Sequence, residues 1–527
     1  MGNKDARFLK SAFTLAIAGF VVKIIGAVYR IPLYSILGSE GMGLFQMAYP
    51  IYAILLTVSS AGLNVAISKA VAERWVLKKY GAAQTVFRVS LILMVVLGLA
   101  GSMLLYSMSG WIAENMARDP RARLSIAAIS PALFMAVVLS AFRGWFQGIE
   151  EMGAPAVSQV LEQIGRLVTM YILARMLLPR GIEYAASGAT FGAAVGAFTG
   201  ILYIGIVYLA LAGNWAHSNG EERDSWLGIA GEVMRIAIPV SLASAVFGIT
   251  ELIDLGLVPG RLQAAGIQPD EATRLFGQLS GGAFPFLNIP TIFTGALQAA
   301  LVPSISGAAV LRDSESITRR VKKALSITVA LALPAALGLY VLAEPVPALL
   351  LKDSGIGRIL RPLTPAVVFL ALQQVTSGIL QGMGKLKAPL INLIWAALIK
   401  ALLTYSLVGM PALGIVGASI ATTCHFGVAA ILNVLCIQRE LGNPLDSESI
   451  LKISLSSAIM SIAVSLAYVK VQTMGSWKLG TVIAIVVGII TYGVLIMVLG
   501  VITTGDLESL SFVGSFIKRF KRRRKKR

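Results

Sequence analysis

Gly144-Trp145-Phe146-Gln147-Gly148, followed by Ala154-Pro155, returns later in the chain as Gly378-Ile379-Leu380-Gln381-Gly382 followed by Ala388-Pro389, at a constant offset of 234 residues. Arg166 meets Lys400 at the same offset. A lone Gln-Gly pair recurs easily by chance, but the whole spacing with its Ala-Pro does not, so the chain contains an internal repeat.

The surroundings of both copies are apolar. Of 527 residues, 56% are hydrophobic and 13% charged, against about 25% charged in an ordinary soluble domain. A mean hydropathy of +0.79 spread along the chain makes lipid the solvent of most of it. Runs of about 20 apolar residues cross a ~30 Å hydrocarbon core as helices. Such runs lie near 11–37, 43–68, 85–108, 124–148, 155–178, 185–210 and 229–255, then 276–306, 319–343, 361–383, 388–408, 414–437, 450–470 and 478–500. The predicted fold is an all-α polytopic membrane protein of about fourteen transmembrane helices. Span 2 aligns with span 8 at nearly the repeat offset, Pro50 opposite Pro285. The expected organisation is an N-lobe (1–215, spans 1–6), a C-lobe (216–440, spans 7–12), two additional helices (441–505) and a basic tail (506–527). Six spans separate the copies, so the two six-helix bundles share one orientation, and a central cavity between such bundles is the usual place for a transported solute.

An even number of spans puts both termini on one side. Lys4, Arg7 and Lys10, with the basic loops Lys69 to Lys79, Arg319 to Lys323 and Lys385-Lys387, place that side in the cytoplasm. The short loop Ser39-Glu40 and the uncharged Gly409 to Leu413 fall outside. The first apolar run leads straight into a second span, which reads as a membrane helix rather than a cleaved signal. About half of the net charge of +19 sits in Lys518 to Arg527. A tail of that kind is drawn to anionic headgroups, and no nucleic-acid partner is expected.

The chemistry-bearing residues are few. Cys424 and Cys436 are twelve residues apart in one apolar stretch, about 18 Å along a helix, too far to pair. With His217 and His425 they form no metal motif, and there is no Walker, zinc-protease or Gly-x-Ser-x-Gly signature. No cofactor, no metal and no enzymatic activity are expected. Ionisable groups at membrane depth are expensive and tend to be functional. Lys23 and Arg30, seven residues apart in span 1, share a helical face and suit an extended anion such as a diphosphate. Glu162 and Arg166, at i and i+4, either pair locally or leave Arg166 facing the cavity with Glu162 adjusting it. Lys400 has no acid between 388 and 437, and so needs a distant partner, a substrate anion or a lowered pKa. Glu251 and Asp254, at i and i+3 near the end of span 7, read as a solvated helix end, or else as a coupling site or partners of Lys23 or Lys400. His425 reads as a proton relay or as a helix-to-helix hydrogen bond. Gly19, Gly26, Pro239, Pro285, Pro290 and Pro303 mark spans 1, 7 and 8 as bent.

Ala18-Gly19-Phe20-Val21-Val22-Lys23-Ile24-Ile25-Gly26, Tyr29-Arg30-Ile31-Pro32, Leu37-Gly38-Ser39-Glu40-Gly41-Met42-Gly43-Leu44 and Ala66-Ile67-Ser68-Lys69, with the repeated Gln-Gly and Ala-Pro, carry a resemblance. The chain resembles the stage V sporulation protein B group of the polysaccharide biosynthesis, MurJ-like branch of the MOP flippase superfamily. The resemblance implies two lobes around a cationic cavity that receives a diphosphate-sugar headgroup, and a groove by the last two helices for the polyprenyl tail. It places Lys23 where that family keeps a basic residue in helix 1, and Arg30 one position from a second family arginine. Helix 2 departs from the MurJ pattern, reading Ser60-Ala61-Gly62-Leu63-Asn64. The acidic sodium ligand that some members carry in helix 11 is absent, with Lys400 in that electrostatic role. The expected function is a flippase for a polyprenyl-diphosphate-linked, lipid II-like precursor in peptidoglycan or spore cortex synthesis. Lys23, Arg30, Arg166 and Lys400 would bind substrate by alternating access in the cell membrane, with cell-wall synthesis proteins as candidate partners. The rivals are a cation-coupled MATE-type multidrug exporter, which favours acidic cavity residues, a membrane-embedded glycosyltransferase, which needs long outer loops, and a non-transporting scaffold.

Overall fold

The computed structural model describes residues 18–19, 21–22, 25–26, 29–212 and 225–501. These residues are helical almost throughout. The first half contains α1 (Arg30–Leu56), α2 (Gly62–Val76), α3 (Tyr80–Ser107), the short α4 (Ser109–Asn115), α5 (Ala122–Gly148), α6 (Gly153–Leu177) and α7 (Ile182–Ala212). The second contains α8 (Trp226–Ala245), α9 (Ile249–Ala264), α10 (Pro269–Gly277), α11 (Phe284–Val310), α12 (Ser314–Val341), α13 (Pro345–Leu351), α14 (Ile356–Leu363), α15 (Pro365–Gly382), α16 (Lys387–Val408) and α17 (Ile415–Leu441). Two more, α18 (Ser447–Thr473) and α19 (Trp477–Val498), close the described chain.

Among the described residues, ten helices are long and apolar enough to cross a membrane, or eleven if α14 and α15, bent by 47°, form one span. The chain is an all-α, multi-pass membrane protein. Expected spans 2 to 14 each fall on a helix or helix pair, while span 1 is described only in part, at 18–19, 21–22, 25–26 and 29–37. The expected loop at Ser39-Glu40 is narrower than the sequence suggested. The chain breaks at Gly38 alone, whose φ of +63° only glycine adopts without strain, and helix resumes at once. Two helices widen into π-turns, at Thr57–Ala61 and Gln278–Ala283.

The repeat is written into the helix packing. A Cβ on Gly144 would lie 3.1 Å from the Asn64 carbonyl oxygen, and one on Gly148 would lie 2.9 Å from that of Ser68. A Cβ on Gly378 would lie 3.2 Å from the Gln298 carbonyl, and one on Gly382 would lie 2.9 Å from that of Val302. Both partners are again 234 residues apart. The glycines of the motif are therefore the places where α5 meets α2 and α15 meets α11 backbone to backbone, as small residues allow in membranes. The packing also corrects the alignment of spans 2 and 8: the offset is 234 there too, and Pro50 and Pro285 are one position out of register. The helix ends match as well. Lys78, Arg312, Glu150 and Gly384 have positive φ, and each closes its helix with the same Schellman pair of bonds, such as Lys79 N–H to the Arg74 carbonyl and Asp313 N–H to that of Ala308.

The chain divides into two compact units. One comprises Met1–Ile292, Leu350–Asp353 and Leu393–His425, and the other Phe293–Leu349, Ser354–Asn392 and Phe426–Arg527. In the second unit a buried cluster of Leu301, Ile305, Val321, Leu325, Val375 and Ile379 joins α11, α12 and α15. There Tyr492 of α19 donates to the Ala330 carbonyl of α12 at 2.6 Å. Every residue of the candidate site lies in the first unit.

Candidate functional site

A cavity of about 170 Å³ opens in the first unit, lined by Arg30, Gln46, Tyr49, Glu251, Asp254, Ser280 and neighbouring apolar side chains. These residues come from spans 1, 2, 7 and 8. The cavity holds both signs of charge. Arg30 makes no ion pair among the described residues. Glu251 faces it as an exposed carboxylate, likewise without an ion pair among them, and Asp254 sits one turn further along α9.

Asp254 is the distant partner that Lys400 requires. Its Oδ2 accepts from Lys400 Nζ at 2.6 Å, with the ammonium wholly buried and the aspartate side chain 4% exposed. Lys400 also donates to the Thr250 carbonyl at 3.2 Å. Asp254 Oδ1 is buried with no hydrogen-bond partner and belongs to a residue of the cavity wall. His425 Nε2 lies 3.5 Å from Thr250 Oγ1. Lys400 thus contributes its charge from behind Asp254 rather than at the cavity surface.

The first repeat holds a second ionic group. Glu162 accepts from Arg166 at 3.1 Å through one carboxylate oxygen and from Arg143 at 2.8 Å through the other. Arg143 Nε also donates to Ser158 Oγ at 3.1 Å, and the Ser158 hydroxyl donates to the Pro155 carbonyl at 2.7 Å. Arg166 stands beside Tyr49 and Tyr52, and Tyr49 lines the cavity. Sequence reasoning paired Glu162 with Arg166 but missed Arg143, although a charged residue at membrane depth directly before Gly144 was the signal. Lys23 lies outside the described residues, as does the basic tail. Cys424 and Cys436 are both free.

At one end of the cavity the chain crosses itself symmetrically. A Cβ on Gly277 would overlap the Ser39 carbonyl oxygen, and a Cβ on Gly43 would overlap that of Thr273. Ser39 and Thr273, like Gly43 and Gly277, are 234 residues apart, so α1 and the α10 segment meet as a pseudo-twofold pair. Gln46 adds a bond from Nε2 to the Ser280 carbonyl at 3.0 Å, again across positions related by the offset. An aspartate clasps each side, and these too are repeat mates. Asp119 accepts from Thr273 Oγ1 at 2.7 Å and from Arg121, while Asp353 accepts from the Tyr34 hydroxyl at 2.8 Å and from Gln278. Arg121 extends its side of the clasp to Glu40 at 2.6 Å and Asp270 at 2.9 Å. Burial disfavours the ionised Asp119, but the hydrogen bonds from Arg121 and Thr273 outweigh it and hold the carboxyl below the usual aspartate range.

Known proteins share this architecture. Among solved structures, a "Lipid II flippase MurJ, inward closed conformation" superposes with a TM-score of 0.69 at 16% identity, covering 91% of this chain and 97% of that one. An "inward-facing conformation of a multidrug resistance MATE family transporter" gives a TM-score of 0.65 at 20% identity, covering 82% and 98%. By sequence, stage V sporulation protein B of Bacillus subtilis (strain 168) is 27% identical over 522 residues, 97% of this chain and 99% of the relative. The lipid II flippase MurJ of the same organism is 25% identical, covering 88% of each. The sequence profile of the MatE family matches residues 280–406, and that described as "Polysaccharide biosynthesis protein" matches residues 8–309. With more than half its length matched by that profile and with this fold, the chain belongs to the polysaccharide biosynthesis protein family, in the SpoVB- and MurJ-like branch of the MOP flippase superfamily.

Proposed function

We propose that the chain is a flippase that turns the headgroup of a polyprenyl-diphosphate-linked, lipid II-like glycan across the cell membrane, for peptidoglycan or spore cortex synthesis. The observation that carries the reading is the cavity formed by spans 1, 2, 7 and 8, with Arg30 on its wall and a symmetric crossing at one end. Movement of a headgroup needs no covalent chemistry. It needs a site that exchanges between the two faces, which is alternating access.

In this reading the lobes are 1–215 and 216–440, with 441–505 as additional helices and both termini cytoplasmic. The Gly43/Gly277 crossing then falls at the outer end. It opens when Asp119 and Asp353 release Thr273 and Tyr34. Lys23, Arg30 and Arg166 meet the diphosphate, Lys400 acts through Asp254, and Glu251 is the candidate coupling group. The tail, 506–527, rests on anionic lipids, and cell-wall synthesis proteins are candidate partners.

Glu251 and Asp254 favour a second reading, because carboxylates in a cavity also suit a cationic substrate, as in a MATE-type exporter. One assay separates the two. Purified protein in proteoliposomes is given labelled lipid II, with and without an imposed membrane potential, and parallel vesicles are given a cationic dye. Flipping that weakens on Arg30→Ala supports the flippase. Dye efflux without lipid movement supports the exporter, and binding without movement of either returns a scaffold role.

A further inference from the structure

We propose that Arg143, Glu162 and Arg166 form a phosphate-binding site in the first repeat, in which Arg166 and Tyr49 would touch the anion and Arg143 is the positioning residue. The inference rests on the flippase reading for its biological meaning, but its geometry stands apart from it.

The first argument is charge. Glu162 gives one carboxylate oxygen to each arginine, so two cations share one anion and the group carries one positive charge in excess. The three side chains are only 12 to 16% exposed, and no further acid bonds to them among the described residues. An uncompensated cation at that depth is unfavourable unless an anion joins it. The second argument is unused donors. Arg166 Nε and the Tyr49 hydroxyl are both buried without a hydrogen-bond partner. They come from α6 and α1, and Tyr49 belongs to the cavity wall. A phosphate or diphosphate oxyanion accepts from donors that converge from separate helices, and charge-assisted bonds of this kind are the strong ones.

Arg143 plays a different part. Its bonds to Glu162 and Ser158 hold it in place, and by occupying half of Glu162 it keeps Arg166 from being fully neutralised. The fold does not require these charges. At the same offset the second repeat has Ser377, Asn392 and Ala396, and Lys400, the mate of Arg166, is matched by Asp254.

The full chain in phosphatidylcholine nanodiscs, titrated with inorganic pyrophosphate and read by the shift in thermal unfolding, tests the site. The signs are opposed. Arg143→Gln lets Glu162 neutralise Arg166 and should weaken pyrophosphate binding about tenfold or more, with Arg143→Lys recovering part of it. Tyr49→Phe, nearly isosteric and expected to fold, should weaken it by about tenfold. Glu162→Gln, which leaves both arginines uncompensated, should tighten it severalfold. A merely structural ion pair predicts no tightening, so Glu162→Gln that folds and binds no better, or Tyr49→Phe that binds as the parent does, overturns the site. Phosphatidylglycerol nanodiscs identify the source: competition with pyrophosphate points to a phospholipid headgroup, and its absence points to a soluble or glycan-linked diphosphate. Failures of the two readings are distinct. Lipid II movement untouched by Arg143→Gln and Tyr49→Phe removes the site and keeps the flippase; the three expected signs in a protein that moves no lipid II keep the site and remove the flippase.

Discussion

The two repeats share a backbone and differ in how they settle buried polarity. In the first, Arg143 of α5 and Glu162 of α6 form an ion pair to which Ser158 adds a hydroxyl, and Thr199 of α7 donates to the carbonyls of Leu161 and Gly196. At the same offset stand Ser377, Asn392, Ala396 and Asn433. There the network is neutral: Asn392 donates to Asn433 Oδ1 at 2.9 Å, and Asn433 donates to Thr376 and Ser377 at 3.1 Å. The comparison teaches that the motif glycines make equivalent contacts in both copies and so hold the shared backbone, while the charges differ between the copies and are not needed for it.

The largest expected effect separates Lys400 from its mate Arg166. Lys400→Ala leaves Asp254 as a buried, unpaired carboxylate and should destabilise the protein by about 3–5 kcal/mol. The double variant with Asp254→Ala should recover much of that. Arg166→Ala should cost less, because Glu162 keeps Arg143. Chemical unfolding in detergent measures all three, and equal losses at Lys400 and Arg166 would break the contrast between a matched pair and a shared acid.

The glycines should behave in the opposite way. Gly144→Val and Gly378→Val both press side-chain carbon against a facing helix carbonyl, and each should cost about 1–3 kcal/mol, the usual range for overpacking. Similar shifts in thermal unfolding would confirm that the offset is a packing rule. A loss confined to one of them would mean that only one repeat depends on its close approach.

This division also explains what could be read in advance. Spans were legible because length and apolarity decide them without reference to partners, and the repeat was legible because its motif is local. Long-range pairing was not: Asp254 lies 146 residues before Lys400, and nothing in a linear pattern selects it over Glu251. Arg143 escaped because its mate, Ser377, is uncharged, so a search for matching charges in the two halves passes over it. The spans 2 and 8 register slipped by one because prolines were aligned, whereas the chain is held in register by glycines. Gly43 with Gly277 and Asp119 with Asp353 were visible at the offset, but only the crossing gives them a reason to match.

The two sides of the clasp provide a smaller contrast. Asp119 is held by a guanidinium and a hydroxyl, and Asp353 by a phenol and an amide. Charge-assisted hydrogen bonds of either kind contribute about 1.5–3 kcal/mol, so Asp119→Asn and Asp353→Asn should each shift the crossing toward the open form. Spin labels placed on either side of Gly43 and Gly277 would report it. The shift should be larger for Asp119, which loses an ion pair as well, and an unchanged distance distribution in both would remove the aspartates from the closure.

Protonation should have the smallest effect, and its sign follows from Asp119. Its carboxyl is held below the ordinary aspartate value of about 3.9, so the clasp favours the ionised form. That contribution is fully present above the ordinary value and is lost only as the pH falls through the lowered one. Between roughly pH 5 and 8 the label distances at the crossing should therefore stay constant in the parent protein. An opening within that window would have to come from a different group, and its persistence in Asp119→Asn would show that the clasp is not the element that responds to protons.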